Sequence, residues 1–207
     1  MKEILNKYSK IYKDTLIDDS FSSKDEMIDK YKKRLEKMYN SSIYQEHNIY
    51  PTMNVELIYA VIAMCLELKD KGLTDDEIIK NVNFAFEKKR AKFKLLGKCI
   101  NLFPISYKIV EKWNLNDHAN RIKDKSINYD FFNVTSHKIE YKISKCMYVE
   151  IFNYYGIRKL CKIFCMTDEF AYSCLTKYVD FKRYSDLSEG QSCHDLITKK
   201  IKLNRSL

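Results

Sequence analysis

Through the N-terminal part of the chain, apolar positions recur at the spacing of amphipathic helices. Ile4, Leu5, Tyr8, Ile11, Tyr12 and Leu16 share one face over 2–17, which predicts a helix there. Ser23 followed by Glu26 is a capping box, so a second helix starts there and runs to about Tyr39, where Asn40-Ser41-Ser42 breaks it. Pro51-Thr52 opens a third, with Leu57, Ile58, Val61, Ile62, Cys65 and Leu66 on a broad apolar face, and Gly72 ends it. Thr74 and Glu77 form another capping box, which predicts a helix through Lys94, ended by Gly97. One more helix is expected within 98–113, entered or interrupted at Pro104. Cys65 and Cys99 fall inside these apolar patterns and read as small core hydrophobes.

After Trp113 the pattern changes. Residues 114–126 are polar and read as a connector, and 129–134 are β-branched and aromatic. Over 138–145, Ile139, Tyr141 and Ile143 alternate with polar positions, so these two segments predict a hairpin. Cys146 then stands where a helix over 147–155 begins, and Gly156 stops it. A short helix is expected over 157–164, then Cys165, then a helix capped by Thr167 and starting at Asp168. Strands follow over 178–182 and 193–201, joined by a turn through Gly190. The fold class is therefore α+β: a helical region over 1–115, then over 116–207 a small antiparallel sheet with helices in the order ββ-αα-ββ.

Composition narrows this picture. Four glycines and two prolines argue against a Rossmann sheet or a β-sandwich. The net charge of +9 is shared by both halves and shows no single basic stripe, so a nucleic-acid partner is not expected. The run Lys199-Lys200-Ile201-Lys202 reads as a solvated end. Seven cysteines, an odd number, follow an N-terminus without an apolar leader, and no segment has the length of a membrane span. Reduced thiols, a cytoplasmic location and no membrane partner are the expectation. The oligomeric state is not legible.

The chemistry-bearing residues crowd the last third. In order they are Lys145-Cys146-Met147-Tyr148, Cys165-Met166-Thr167-Asp168, Phe181-Lys182-Arg183, Leu187-Ser188-Glu189-Gly190 and Cys193-His194-Asp195. This ordered set resembles the L-2-amino-thiazoline-4-carboxylic acid hydrolase family over roughly residues 138–199. One departure is that His194 stands between Cys193 and Asp195, where the family pattern places the acid directly after the cysteine. The resemblance implies a hydrolase that opens a 2-aminothiazoline ring at its isothiourea carbon, with a small molecule as its partner. Such a reaction needs a nucleophile, a proton donor and a cation for the substrate carboxylate. Cys193, Cys165 and Cys146 are candidate nucleophiles, and Asp168 could instead deprotonate a water. Arg183 is the expected carboxylate clamp, with Tyr148 and His194 as further substrate contacts.

Plainer readings stand beside these. Any one cysteine can be a packing group, and Asp168 can be a helix-start acid. Three thiols and a carboxylate suit zinc, but their spacing fits neither a ribbon nor a knuckle, and no cofactor is expected. Strand alternation places Cys193 and Asp195 on one face and His194 on the other, which argues against a linear triad. The alternatives to an enzyme are a non-catalytic protein that binds a small ligand or a metal and, least favoured, a basic nucleic-acid-associated helical protein.

Overall fold

The computed structural model describes residues 2–17 and 23–200. Helices α1 (Lys2–Thr15) and α2 (Lys24–Tyr39) follow the apolar periodicity, and Ser23 Oγ accepts the Glu26 N–H at 3.2 Å. The Asn40-Ser41-Ser42 break holds, but a short helix α3 (Ser42–Glu46) follows directly, because Ser41 Oγ accepts the Tyr44 N–H. In α4 (Thr52–Asp70) every residue from Ile58 to Cys65 is buried, so this helix is enclosed on all sides. Gly72 follows it with φ +84°, a left-handed conformation that favours glycine. The Thr74 box opens α5 (Asp75–Ile100), with Thr74 N–H and Oγ1 both donating to Glu77 Oε2.

The boundaries of α5 and of the helix after it differ from expectation. Helix α5 does not stop at Gly97. That glycine is buried within the helix, and a Cβ there would lie 2.8 Å from Cys174 Cβ. Its missing side chain permits close approach and does not end the helix. Gly97→Ala should therefore lower stability by about 1–3 kcal/mol despite the better helix propensity of alanine, measured by urea denaturation. The next helix, α6 (Ser106–Lys123), begins just after Pro104 and continues through most of the expected connector. It buries only Ser106, Tyr107 and Val110, so its outer turns carry no apolar period to read. Cys99 is exposed and is not a core residue, whereas Cys65, Cys161 and Cys174 are buried.

The chain packs as two units. The first holds Met1–Arg90 and Met147–Ile163, and the second Ala91–Cys146 and Phe164–Leu207. In the first, Tyr12 and Tyr31 stack with ring centroids 4.5 Å apart, and Arg34 pairs with both Glu67 and Asp70. Helix α7 (Met147–Tyr154) belongs here. It buries Met147, Val149, Ile151 and Phe152, and Glu150 accepts a hydrogen bond from Tyr50 Oη at 2.8 Å.

The second unit is built on a sheet of β1 (Ile127–Val134), β2 (Lys138–Cys146), β3 (Val179–Ser185) and β4 (Cys193–Lys199). Their order is β1-β2-β4-β3, and every neighbouring pair is antiparallel. Ile139, Val179 and Ile197 pack against Tyr107, Val110, Leu175 and Tyr178 to form its core. The α+β class is as expected. The expected last strand reached 201, which lies outside the described residues. A 3-10 turn, Arg158–Cys161, leads straight into α8 (Lys162–Ser173), which is continuous. Thr167 is thus not a cap and Asp168 is not at a helix start, because nothing in Cys165-Met166-Thr167 breaks a helix. Asp168 lies beyond the first turn and is not stabilised by a helix N-terminus. Among the described residues, no helix is long and apolar enough to cross a membrane.

Candidate active site

Register across the sheet sets the site. Tyr141 on β2 faces Asp195 on β4, and Asp195 faces Arg183 on β3. Three polar residues thereby form one row on the face that also carries Ile139, Ile143, Cys193 and Ile197. Arg183 grips Asp195 with two parallel hydrogen bonds, Nε to Oδ1 and Nη2 to Oδ2, both 2.8 Å. Tyr141 Oη donates to Asp195 Oδ2 at 2.9 Å. The Asp195 side chain keeps 2% of its surface open and that of Arg183 10%. An acid so enclosed requires this set of donors, since an unpaired buried charge is costly.

Helix α8 brings the second acid. Cys165, Asp168 and Tyr172 lie at i, i+3 and i+7, on one helical face. Arg183 Nη2 donates to Asp168 Oδ2 at 3.0 Å, and Nη1 donates to the Cys165 carbonyl at 2.7 Å. Tyr172 stacks on Phe181 at 4.5 Å, and its hydroxyl accepts from Asn114 Nδ2 at 3.0 Å. One guanidinium nitrogen therefore serves two carboxylates, Asp195 and Asp168. They differ in access, because the Asp168 side chain keeps 53% of its surface open. Enclosure by surrounding protein still raises the Asp168 pKa; Arg183 opposes this and the Asp195 charge adds to it. Asp168 is thus the more accessible of the two acids.

The thiols converge on the same region. Burial pushes the Cys193 thiol up to about 12, and the nearby Cys165 and Cys146 add to the shift while the Leu187 N–H and Arg183 oppose it. The Leu187 N–H donates to Cys193 Sγ at 3.1 Å. Cys165 and Cys146 are half-buried. Burial raises the Tyr129 phenol pKa, and Asp117, Cys146 and Asp168 are among the charges that add to the shift. Yet among the described residues no group of three His, Cys, Asp or Glu side chains is placed to hold a metal ion.

Of the residues singled out in the sequence, Cys146, Cys165, Asp168, Arg183 and Cys193 come together. One does not join them. His194 points to the other face of the sheet, where its Nε2 lies 3.1 Å from Glu140 Oε1 and its ring packs near Tyr184. Strand alternation is the reason. Tyr148 lies on α7, within the first unit. Arg183 is placed at the site but is not a free clamp. Four of its hydrogen bonds go to Asp195, Asp168 and the Cys165 carbonyl, and Glu169 stands 3.8 Å from Nη1. Tyr141, Asp195 and Tyr172 complete the site beyond the residues expected to act or bind there. Tyr141 was visible as a hydroxyl-bearing residue in the inward row of β2, and Tyr172 by its helical spacing from Asp168.

The architecture is that of an α+β protein with two carboxylates on one arginine beside a group of thiols. The chain belongs to the L-2-amino-thiazoline-4-carboxylic acid hydrolase family, whose model matches residues 56–197. Comparison with curated proteins and with solved structures gives no significant match.

Proposed function

We propose that this chain is a hydrolase that cleaves a C–N or C–S bond of a small heterocyclic or amidine-like substrate, with Asp168 as its general base. The observation that carries this reading is the contrast between two acids on one guanidinium. Asp195 has both oxygens committed to Arg183 and Tyr141 and is sealed from solvent. Asp168 is held by Arg183 on one oxygen and is open on its other side. A carboxyl held on one oxygen and open on its other side can take a proton from a water that reaches it, and its raised pKa makes it the stronger base.

In this mechanism Asp168 takes a proton from water as the water oxygen bonds to the amidine-like carbon. As the C–N or C–S bond breaks, Asp168 returns that proton to the departing nitrogen or sulfur, and the second proton of the water goes to the nitrogen that took up the C=N π electrons, leaving a carbonyl. Arg183 fixes the direction of Asp168 and does not grip the substrate. Burial pushes the Cys193 thiol up to about 12, which disfavours the thiolate, and this reading gives it no nucleophilic role. Cys165 and Cys146 are half-buried and so less enclosed than Cys193. The mechanism uses no cofactor. The family's name supports a hydrolase acting on a 2-aminothiazoline ring.

A second reading is a small-ligand-binding protein of the same fold. It is favoured by the internal neutralisation of Arg183, which removes the most obvious cation for an acidic substrate. Incubating the purified chain with 2-aminothiazoline-4-carboxylate, and following ring opening alongside calorimetric binding, separates the two. Turnover supports the hydrolase; saturable binding without turnover supports the second reading.

A further inference from the structure

Averaging the charge over each half of the chain hides a local run. Residues 88–110 carry seven Lys or Arg and no Asp or Glu. The run spans the C-terminal end of α5, the turn after it and the start of α6. The same stretch exposes Leu95, Leu96, Leu102, Phe103 and Ile105, each more than half open. Lys94, Lys98 and Lys108 are exposed among them.

This is a built feature and not an unpacked end. On its inner side Gly97 sits against Cys174, Ile100 packs on the sheet core, and Tyr107 and Val110 are buried. Ser106 Oγ lies 2.7 and 2.6 Å from the Ile100 and Phe103 carbonyls and shares its single proton between them, closing the turn. The Lys177 N–H donates to Asn101 Oδ1 at 3.0 Å and ties the turn to the segment before β3. The backbone is thus pinned from within while its large apolar side chains face out.

We infer that this helix–turn–helix tip docks on an anionic lipid surface, with Leu102, Phe103 and Ile105 entering the interface and the lysines meeting the headgroups. Exposed apolar groups interspersed along the chain with the exposed Lys94, Lys98 and Lys108, in a run of sequence without an acid, match both layers of such a surface. Nucleic acid would use the lysines and could stack on Phe103, but offers nothing to the four exposed aliphatic side chains. A second copy of the same tip would cover the apolar groups but would set two basic runs against each other. The lipid surface alone satisfies both features, and the inference stands apart from the proposed chemistry.

Co-sedimentation of the full chain with vesicles tests this. The expected result is binding to a three-to-one mixture of phosphatidylcholine and phosphatidylserine, weak binding to phosphatidylcholine alone, and a fall with added salt. Leu102→Asp with Phe103→Asp should remove the binding. Lys98→Glu with Lys108→Glu, both at exposed positions, should weaken it at least about tenfold, as expected for removing cations near an anionic surface. Circular dichroism reports whether each variant folds, and the lysine pair serves if the apolar pair does not. Absence of binding at low salt would overturn the inference. So would binding that a folded Leu102→Asp/Phe103→Asp variant retains. Duplex DNA bound as tightly as the vesicles would point to nucleic acid instead. A self-association, seen by sedimentation, that the apolar pair abolishes would assign the tip to a second copy.

Discussion

Arg183→Met should destabilise the protein by about 3–5 kcal/mol, read as a shift in the midpoint of urea unfolding. Asp195 is the reason. Its side chain is almost wholly enclosed, and two of its three hydrogen bonds come from Arg183. Removing the guanidinium leaves Tyr141 as its one remaining donor, and the buried charge must either protonate or draw water inward. The loss does not measure the worth of the ion pair. Replacing the whole row with apolar groups, Arg183→Met with Asp195→Leu and Tyr141→Phe, removes the charge, its partner and the hydroxyl together. That triple variant should recover most of the stability lost by Arg183→Met alone. If it is no more stable than the single variant, packing by the arginine stem outweighs its charge.

The same row shows what the sequence could and could not convey. Alternation in β2 placed Ile139, Tyr141 and Ile143 on one face, and alternation in β4 separated His194 from Cys193 and Asp195. Both follow from the two-residue period of a strand, and both are found. That Tyr141 meets Asp195, and that Asp195 meets Arg183, depends on register between strands distant in sequence, which no local pattern encodes. Helix ends were less legible for local reasons. Gly97 carries the residue type of a terminator, but its role is contact with Cys174. Thr167-Asp168 has the form of a cap, yet helix continues through it because the turn Arg158–Cys161 had already started the chain on a helical path. The polar segment after Trp113 forms helix with little burial, so its sequence looks like a linker.

Asp168→Asn should lower turnover by about 100- to 10,000-fold, the range expected when a general base is lost, with a much smaller change in substrate binding. Its effect on stability should run the other way. The folded-state pKa of Asp168 is raised, so the group favours folding while protonated and loses that contribution as pH rises through the folded pKa. Asparagine imitates the protonated form. The variant should therefore match the wild type at acid pH and be the more stable of the two near neutrality. Activity lost while stability is held or gained is a result that a structural acid would not give. Asp195→Asn then tests the coupling between the two acids. The Asp195 charge raises the Asp168 pKa, and its removal also frees Arg183 to act on Asp168 alone. Both effects lower the Asp168 pKa, so the acid limb of the rate profile should move to lower pH. A limb that stays in place, or moves upward, would exclude Asp168 as the titrating base.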